Sequence, residues 1–296
     1  MRVLSLYSGC SGSDCGFQAV PGVEIVMAVE PWEPAVQTYT ANLDGAPLQM
    51  TVEAIPLDWY PGEIDVVIGG PPCQSFSKAR VTNKLSGEGL KNFYSYSRVV
   101  EHVKPSVFVI ENVPEVDRVD ISAAIIGMFP NYNILSMELN AVHFGVPQDR
   151  RRRFFFGTKR DQPMFRFRVP SNHWSKWYTG WADYLDIAIT GMGLVVREDK
   201  RIVRSYAEAS FCVTGIDHMA IRYGGYTLNR DMNKLEREVR GIQSRKLTIN
   251  ELARLQGFPE GYKVFGTLDE QQRQIGNAWC VNVAEEIATQ LRNYLR

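Results

Sequence analysis

The stretch Asp65-Val66-Val67-Ile68-Gly69-Gly70-Pro71-Pro72-Cys73-Gln74-Ser75-Phe76-Ser77 constrains this chain more than any other. An apolar run of strand length ends in two glycines and two prolines, and a thiol follows. Proline fixes φ, and glycine lets other groups approach the backbone closely. A cysteine placed this way belongs on a loop at the carboxyl edge of a parallel sheet, where open α/β folds bind their ligands.

The flanking sequence supplies the rest of such a sheet. Strand candidates fall at 3–7, 23–29, 65–69, 106–111, 134–140 and 153–158, with helix candidates near 34–42, 93–103 and 121–129. The alternation predicts an α/β fold on a doubly wound, mostly parallel sheet. Pro105 stops the helix that precedes the fourth strand. From about residue 161 to 243 the chain is rich in Trp, Tyr, Arg and Gly and loses clean periodicity. Helical patterning returns at 248–257 and from 277 to the end. There Val281, Ala284, Ile287, Ala288 and Leu291 make one apolar face. The expected organisation is a discontinuous domain, 1–160 plus 244–296, carrying a smaller inserted domain at 161–243.

With 296 residues, 45% hydrophobic and 22% charged, the chain suits a globular protein of one or two domains. Lys+Arg and Asp+Glu are both 33, so net charge alone points to no partner. The distribution is more informative: Arg150, Arg151, Arg152 and Arg153 are followed by Lys159, Arg160, Arg166 and Arg168. Such a cluster reads either as a solvated face or as a phosphate-contacting surface. Five cysteines without a Cys-x-x-Cys pair and four scattered histidines predict no metal site and a reduced, cytoplasmic setting. No signal-like or membrane-spanning pattern is read.

Three further elements carry chemistry. Leu6-Tyr7-Ser8-Gly9-Cys10-Ser11-Gly12 is a glycine-bearing turn after a strand. It is either a plain turn or a place where a nucleotide-like ligand meets backbone. Glu30 ends the next strand, as a solvated carboxylate or as an acceptor for two ribose hydroxyls. Ser106-Val107-Phe108-Val109-Ile110-Glu111-Asn112-Val113 ends a buried strand in a carboxylate. Burial favours its protonated form, so Glu111 is either half of an ion pair or a proton donor near Cys73. Downstream lie Gln148-Asp149-Arg150-Arg151-Arg152, Arg245-Lys246-Leu247-Thr248 and Gly276-Asn277-Ala278.

In this order, Gly-Pro-Pro-Cys, Glu-Asn-Val, Gln-x-Arg-x-Arg, Arg-Lys-Leu-Thr and Gly-Asn make the chain resemble a cytosine-C5 DNA methyltransferase of the compact bacterial or phage type. The resemblance runs from Leu4 to Ile287. It implies the sheet of the class I S-adenosylmethionine-dependent methyltransferases, with 161–243 as a target-recognition domain. It also implies a cytosine flipped out of duplex DNA, attacked at C6 by Cys73 and methylated at C5 from S-adenosyl-L-methionine, leaving S-adenosyl-L-homocysteine. Glu111 would act at N3; Arg152 would contact the base oxygen and orient Glu111, and Arg150 would support the loop. Tyr7, Gly9, Gly12, Glu30, Pro72 and Asn277 would form the cofactor site. Ser77, Gln148 and Arg245 would meet DNA. The implied protein acts as a monomer in the cytoplasm of a bacterium or a phage host, with no metal.

Several positions depart from the family pattern. Ser11 stands where glycine is frequent, and Ser5 where some members have aspartate. Pro31 and Thr51 replace frequent neighbours of the adenosine, Asn92 replaces an apolar neighbour of the cofactor, and Trp279 replaces a smaller aliphatic residue. Trp279 reads either as packing against the sheet or as a change in cofactor preference. The alternatives to the leading reading are the same chemistry on RNA, a silent DNA- or cofactor-binding paralogue, and a nucleotide-dependent oxidoreductase. The last leaves Cys73 without a role.

Overall fold

Strands β1 (Arg2–Leu6), β2 (Glu24–Val29), β3 (Val66–Gly69), β4 (Val107–Asn112), β5 (Tyr132–Asn140) and β6 (Arg151–Lys159) form one sheet in the order β2-β1-β3-β4-β6-β5. The computed structural model describes residues 1–72, 90–117, 119–170, 194–197, 202–205, 219–222 and 244–296. Cys73 and Ser77 lie outside these residues, as does most of 171–243.

The central strands are buried on both faces, so they read as unbroken apolar runs rather than alternating ones. Val66, Val67 and Ile68 of β3 and Val107 through Ile110 of β4 have no solvent exposure. β1 pairs in parallel with β2 and with β3, and β3 in parallel with β4. β6 runs antiparallel to β4, placing Phe154 opposite Glu111. The chain leaves β1 for β2 on one side and returns to β3 on the other. That reversal opens a crevice at the carboxyl ends of β1 and β3. Both the turn Tyr7–Gly12 and the segment Gly70–Pro72 emerge there.

Helices α1 (Gly12–Gln18), α2 (Glu33–Asn42), α3 (Lys91–Val103) and α4 (Val119–Gly127) follow strands of this sheet. α3 buries Phe93, Tyr96, Val99 and Val100, the spacing of one helical face. The Tyr96 hydroxyl donates to Val67 O at 2.9 Å and Val109 O at 3.1 Å, tying α3 to β3 and β4. Phe108 packs on Phe129 with ring centroids 4.2 Å apart, and on Tyr132 at 5.1 Å. The last helix, Val281–Tyr294, buries the apolar face expected for it. It meets α1 so closely that a Cβ on Gly16 would collide with the Val281 carbonyl.

The chain divides into two compact units: 1–139 with 151–169 and 278–296, and 140–150 with 170–277. In the second unit, β7 (Leu194–Arg197), β8 (Ile202–Ser205), β9 (Met219–Arg222) and β10 (Ser244–Lys246) form an antiparallel sheet ordered β10-β9-β7-β8. It also contains α5 (Ile249–Leu255) and α6 (Leu268–Asn277), so the final helix of the first unit is α7. Thr248 and Glu251 close a reciprocal capping box on α5. The sequence boundaries placed 140–150 and 244–277 with the first domain. Here they fall within the second unit, where Gln148 and Arg150 bond to backbone at Leu255 and Gly276. Among the described residues no helix is long and apolar enough to cross a membrane.

Candidate active site

The turn after β1 places Tyr7 at φ 56°, Gly9 at φ 54° and Ser11 at φ 71°. Three left-handed residues within five positions curl the backbone tightly before α1 begins. The curl aims Gly9 N at the end of β2, where it donates to Glu30 Oε2 at 2.9 Å. Trp32 N donates to Glu30 Oε1, also at 2.9 Å. Burial raises the pKa of Glu30, against the opposing pull of these two amide bonds. Each oxygen keeps a further acceptor position, and a Cβ on Gly9 would meet nothing within 4 Å. Acceptors and open space together fit the ribose of an adenosyl cofactor. Gly12 sits deeper: a side chain there would strike the Trp279 carbonyl and the Ala278 Cβ.

At the ends of β3 and β4, Asn112 Nδ2 donates to Pro71 O at 2.9 Å, and Asn112 Oδ1 accepts from Val113 N at 2.9 Å. Glu111 is 7% exposed, and its Oε1 lies 3.1 Å from Arg152 Nε. Glu111 Oε2 faces Gly70: it and Trp279 Nε1 lie 3.4 and 3.2 Å from where a Gly70 Cβ would stand. Phe154, opposite Glu111 in the strand register, meets the Trp279 ring edge-on at 5.3 Å. Gly70, Glu111, Arg152, Phe154 and Trp279 therefore share one wall. Trp279 is 5% exposed and packs edge-on against Phe154.

The Gln148-x-Arg150-x-Arg152 motif is split between the two units. Arg152 lies in β6 and reaches Glu111. Gln148 has no exposed surface; its Nε2 donates to Leu255 O at 2.6 Å and Gln256 Oε1 at 2.9 Å. The family resemblance implies a DNA contact for this residue; here its amide is held by Leu255 and Gln256. Arg150 is 2% exposed and donates from Nη2 to Gly276 O at 3.0 Å. Asn277 ends α6 with an exposed side chain, and Arg245 lies in β10.

Some of the basic cluster forms surface ion pairs. Arg151 pairs with Glu138 at 3.5 Å and Lys159 with Asp161 at 3.6 Å, all partly solvated. No group of three or more His, Cys, Asp and Glu suited to a metal is found among the described residues. The sequence reading gave no role to Asn112 or to the Trp32 amide. Asn112 grips the Pro71 carbonyl with its side chain, and Trp32 meets Glu30 through its backbone N–H; each contact has a backbone group as one partner, which no side-chain motif announces.

Comparison with known proteins identifies the family. The family model described as C-5 cytosine-specific DNA methylase matches residues 1–293. The Type II methyltransferase M.HindV of Haemophilus influenzae is 30% identical, over 99% of this chain and 97% of the relative. M.FnuDI of Fusobacterium nucleatum, also a Type II methyltransferase, is 29% identical over 100% and 95%. The solved S. pombe Dnmt2 methyltransferase shares the fold with a TM-score of 0.74 at 18% identity, covering 100% of this chain and 99% of that one. The chain belongs to the C-5 cytosine-specific DNA methylase family.

Proposed function

We propose that this protein transfers a methyl group from S-adenosyl-L-methionine to C5 of a cytosine flipped out of double-stranded DNA. The observation that carries the reading is the Glu111–Arg152 pair, 3.1 Å apart, beside the Gly70-Pro71-Pro72 segment that leads into Cys73. A free thiol has a pKa of about 8.5, so Cys73 needs a nearby cation or base to form its thiolate. The thiolate adds to C6, making a carbon–sulfur bond. Glu111 donates a hydrogen bond or a proton at N3, which lets C5 act as the carbon nucleophile. Arg152 holds the Glu111 carboxyl and contacts the base oxygen. The bound cofactor supplies an electrophilic methyl on a sulfonium. After the methyl reaches C5, a base removes the C5 proton, the Cys73 thiolate leaves, and the ring double bond returns.

Glu30 would hold the ribose hydroxyls, Gly9 and Gly12 would admit the cofactor to the backbone, and Tyr7, Pro72 and Asn277 would complete its site. Residues 161–243 would recognise the target sequence, with Ser77 and Arg245 on DNA. The enzyme would act as a monomer in the cytoplasm, as the modification partner of a restriction system. The test is transfer of labelled methyl from S-adenosylmethionine to mixed-sequence DNA, with bisulfite sequencing to locate the product. Wild-type protein should label DNA and Cys73→Ala should not. A wild-type protein that labels no DNA of any sequence refutes the proposal.

A further inference from the structure

We propose that Asn92 is a positioning residue for the nucleophile, holding the backbone at Pro72 from which the chain enters Cys73. The inference rests on the reading of Cys73 as the attacking thiol. Two successive prolines leave this segment without an N–H of its own, so the sheet cannot grip it by ordinary ladder bonds. Only the two carbonyls can be held. Pro71 O accepts from Asn112 Nδ2 at 2.9 Å, reaching from the end of β4. Pro72 O accepts from Asn92 Nδ2 at 3.0 Å, reaching from the first turn of α3. Because a peptide unit is planar, fixing a carbonyl direction also fixes the plane in which the chain continues. The Asn92 bond thus sets the exit direction at Pro72.

Asn92 is itself anchored. The Tyr7 hydroxyl donates to Asn92 O at 3.1 Å, joining the turn after β1 to the first turn of α3. Neighbouring Lys91 lies 3.4 Å from Glu53, and Ser95 Oγ donates to Lys91 O at 3.2 Å. Hence the residue that grips Pro72 is fixed through Tyr7, a wall of the cofactor site in the proposed function. The family resemblance leads one to expect an apolar cofactor neighbour at this position. This chain has an amide, and the amide is directed to its own backbone. Asn92 and Tyr7 together link the cofactor side of the crevice to the nucleophile side.

Asn92→Leu keeps the side-chain size and removes the donor, whereas Asn92→Gln keeps an amide on a longer stem. With DNA and cofactor saturating, Asn92→Leu should slow methyl transfer about tenfold, the effect of one lost hydrogen bond at the reacting segment. It should slow covalent capture of DNA containing 5-fluorocytosine to the same extent. S-adenosylhomocysteine affinity, measured by calorimetry, and the melting temperature should stay close to wild type. Asn92→Gln should recover part of the rate. A purely structural or cofactor-contacting role would instead move stability or cofactor affinity and leave the saturated rate unchanged. The proposal is overturned if Asn92→Leu transfers methyl at the wild-type rate, if its defect disappears at saturating cofactor, or if Asn92→Gln is no faster. If wild-type protein itself neither methylates nor captures DNA, the reading of Cys73 fails and this proposal falls with it.

Discussion

The Trp279 carbonyl occupies the place where a side chain on Gly12 would begin, so the glycine turn and the segment after α6 exclude any Cβ between them. A backbone carbonyl cannot rotate away as a side chain can. Gly12→Ala should therefore push α1 away from the residues preceding α7, at a cost of about 1–3 kcal/mol of overpacking. Urea unfolding checks the stability loss, and titration with S-adenosylhomocysteine should show weaker binding. Gly9→Ala would be destabilising for a different reason, its φ of 54°, since nothing stands within 4 Å of a Cβ there. An alanine at Gly12 with wild-type stability and affinity would contradict the packing argument.

Glu111 and Arg152 separate chemistry from support. Glu111→Gln keeps the shape of the side chain and removes the acid, so methyl transfer should fall by about 10²–10⁴ while the protein stays folded. Arg152→Ala leaves the Glu111 carboxyl without its guanidinium in a site where Glu111 is only 7% exposed. It should lower both activity and stability, the latter by about 1–3 kcal/mol. Initial rates and denaturant midpoints, measured side by side, distinguish the two. Equal stability losses in both variants would count against Glu111 as the reacting acid.

Much of the sheet was legible because central parallel strands are continuous apolar runs. β3 and β4 appear within a residue of their expected ends. Helix α1 was not foreseen as a helix: Gly12–Gln18 is short and contains Gly12 and Gly16, which lower helix propensity. Those glycines are present for the approach of Trp279 and α7, a tertiary demand with no local signature. α6 escaped for a related reason, since its buried residues are Gln274, Ile275 and Gly276, of which only one is large and apolar. In the site, Arg152 beside Glu111 could be anticipated from motif order, whereas the Gly9 amide on Glu30 could not, because a backbone donor leaves no side-chain signature. The burial of Gln148 could not, because its partners Leu255 and Gln256 lie more than a hundred residues away.

Ser11 adopts φ 71° and is fully buried, a backbone conformation that favours the glycine which the family resemblance leads one to expect here. A Cβ in the left-handed region costs about 1–2 kcal/mol. Ser11→Gly and Ser11→Ala both remove the hydroxyl, and only alanine retains the strain. The glycine variant should therefore be the more stable of the two by about 1 kcal/mol, after allowing for the greater freedom of glycine in the unfolded chain. Thermal unfolding of the pair decides the matter. A more stable alanine variant would mean that the turn tolerates Cβ without strain.

Asp14 supplies a prediction with a definite sign in pH. It is fully buried beneath the glycine turn, and its Oδ1 accepts from Ser5 Oγ at 2.6 Å and Ser13 Oγ at 2.8 Å. Burial raises its pKa above the ordinary 3.8, against the lowering pull of Ser5, Ser13 and Tyr39. A carboxyl that holds its proton more tightly when folded contributes stability below the unfolded pKa. That contribution is lost as pH rises through the raised folded value. Asp14→Asn keeps an oxygen for the two serine hydroxyls and offers its amide to Tyr39, whose hydroxyl can accept as well as donate. It has no proton to lose. Relative to wild type, the asparagine variant should therefore gain stability as pH is raised from about 4 through the raised folded value, and level off above it. Urea unfolding of both proteins at matched pH values measures the difference. A gap that stays flat, or that widens in favour of wild type as pH rises, would mean that the three hydroxyls outweigh burial and hold Asp14 as a comfortable anion.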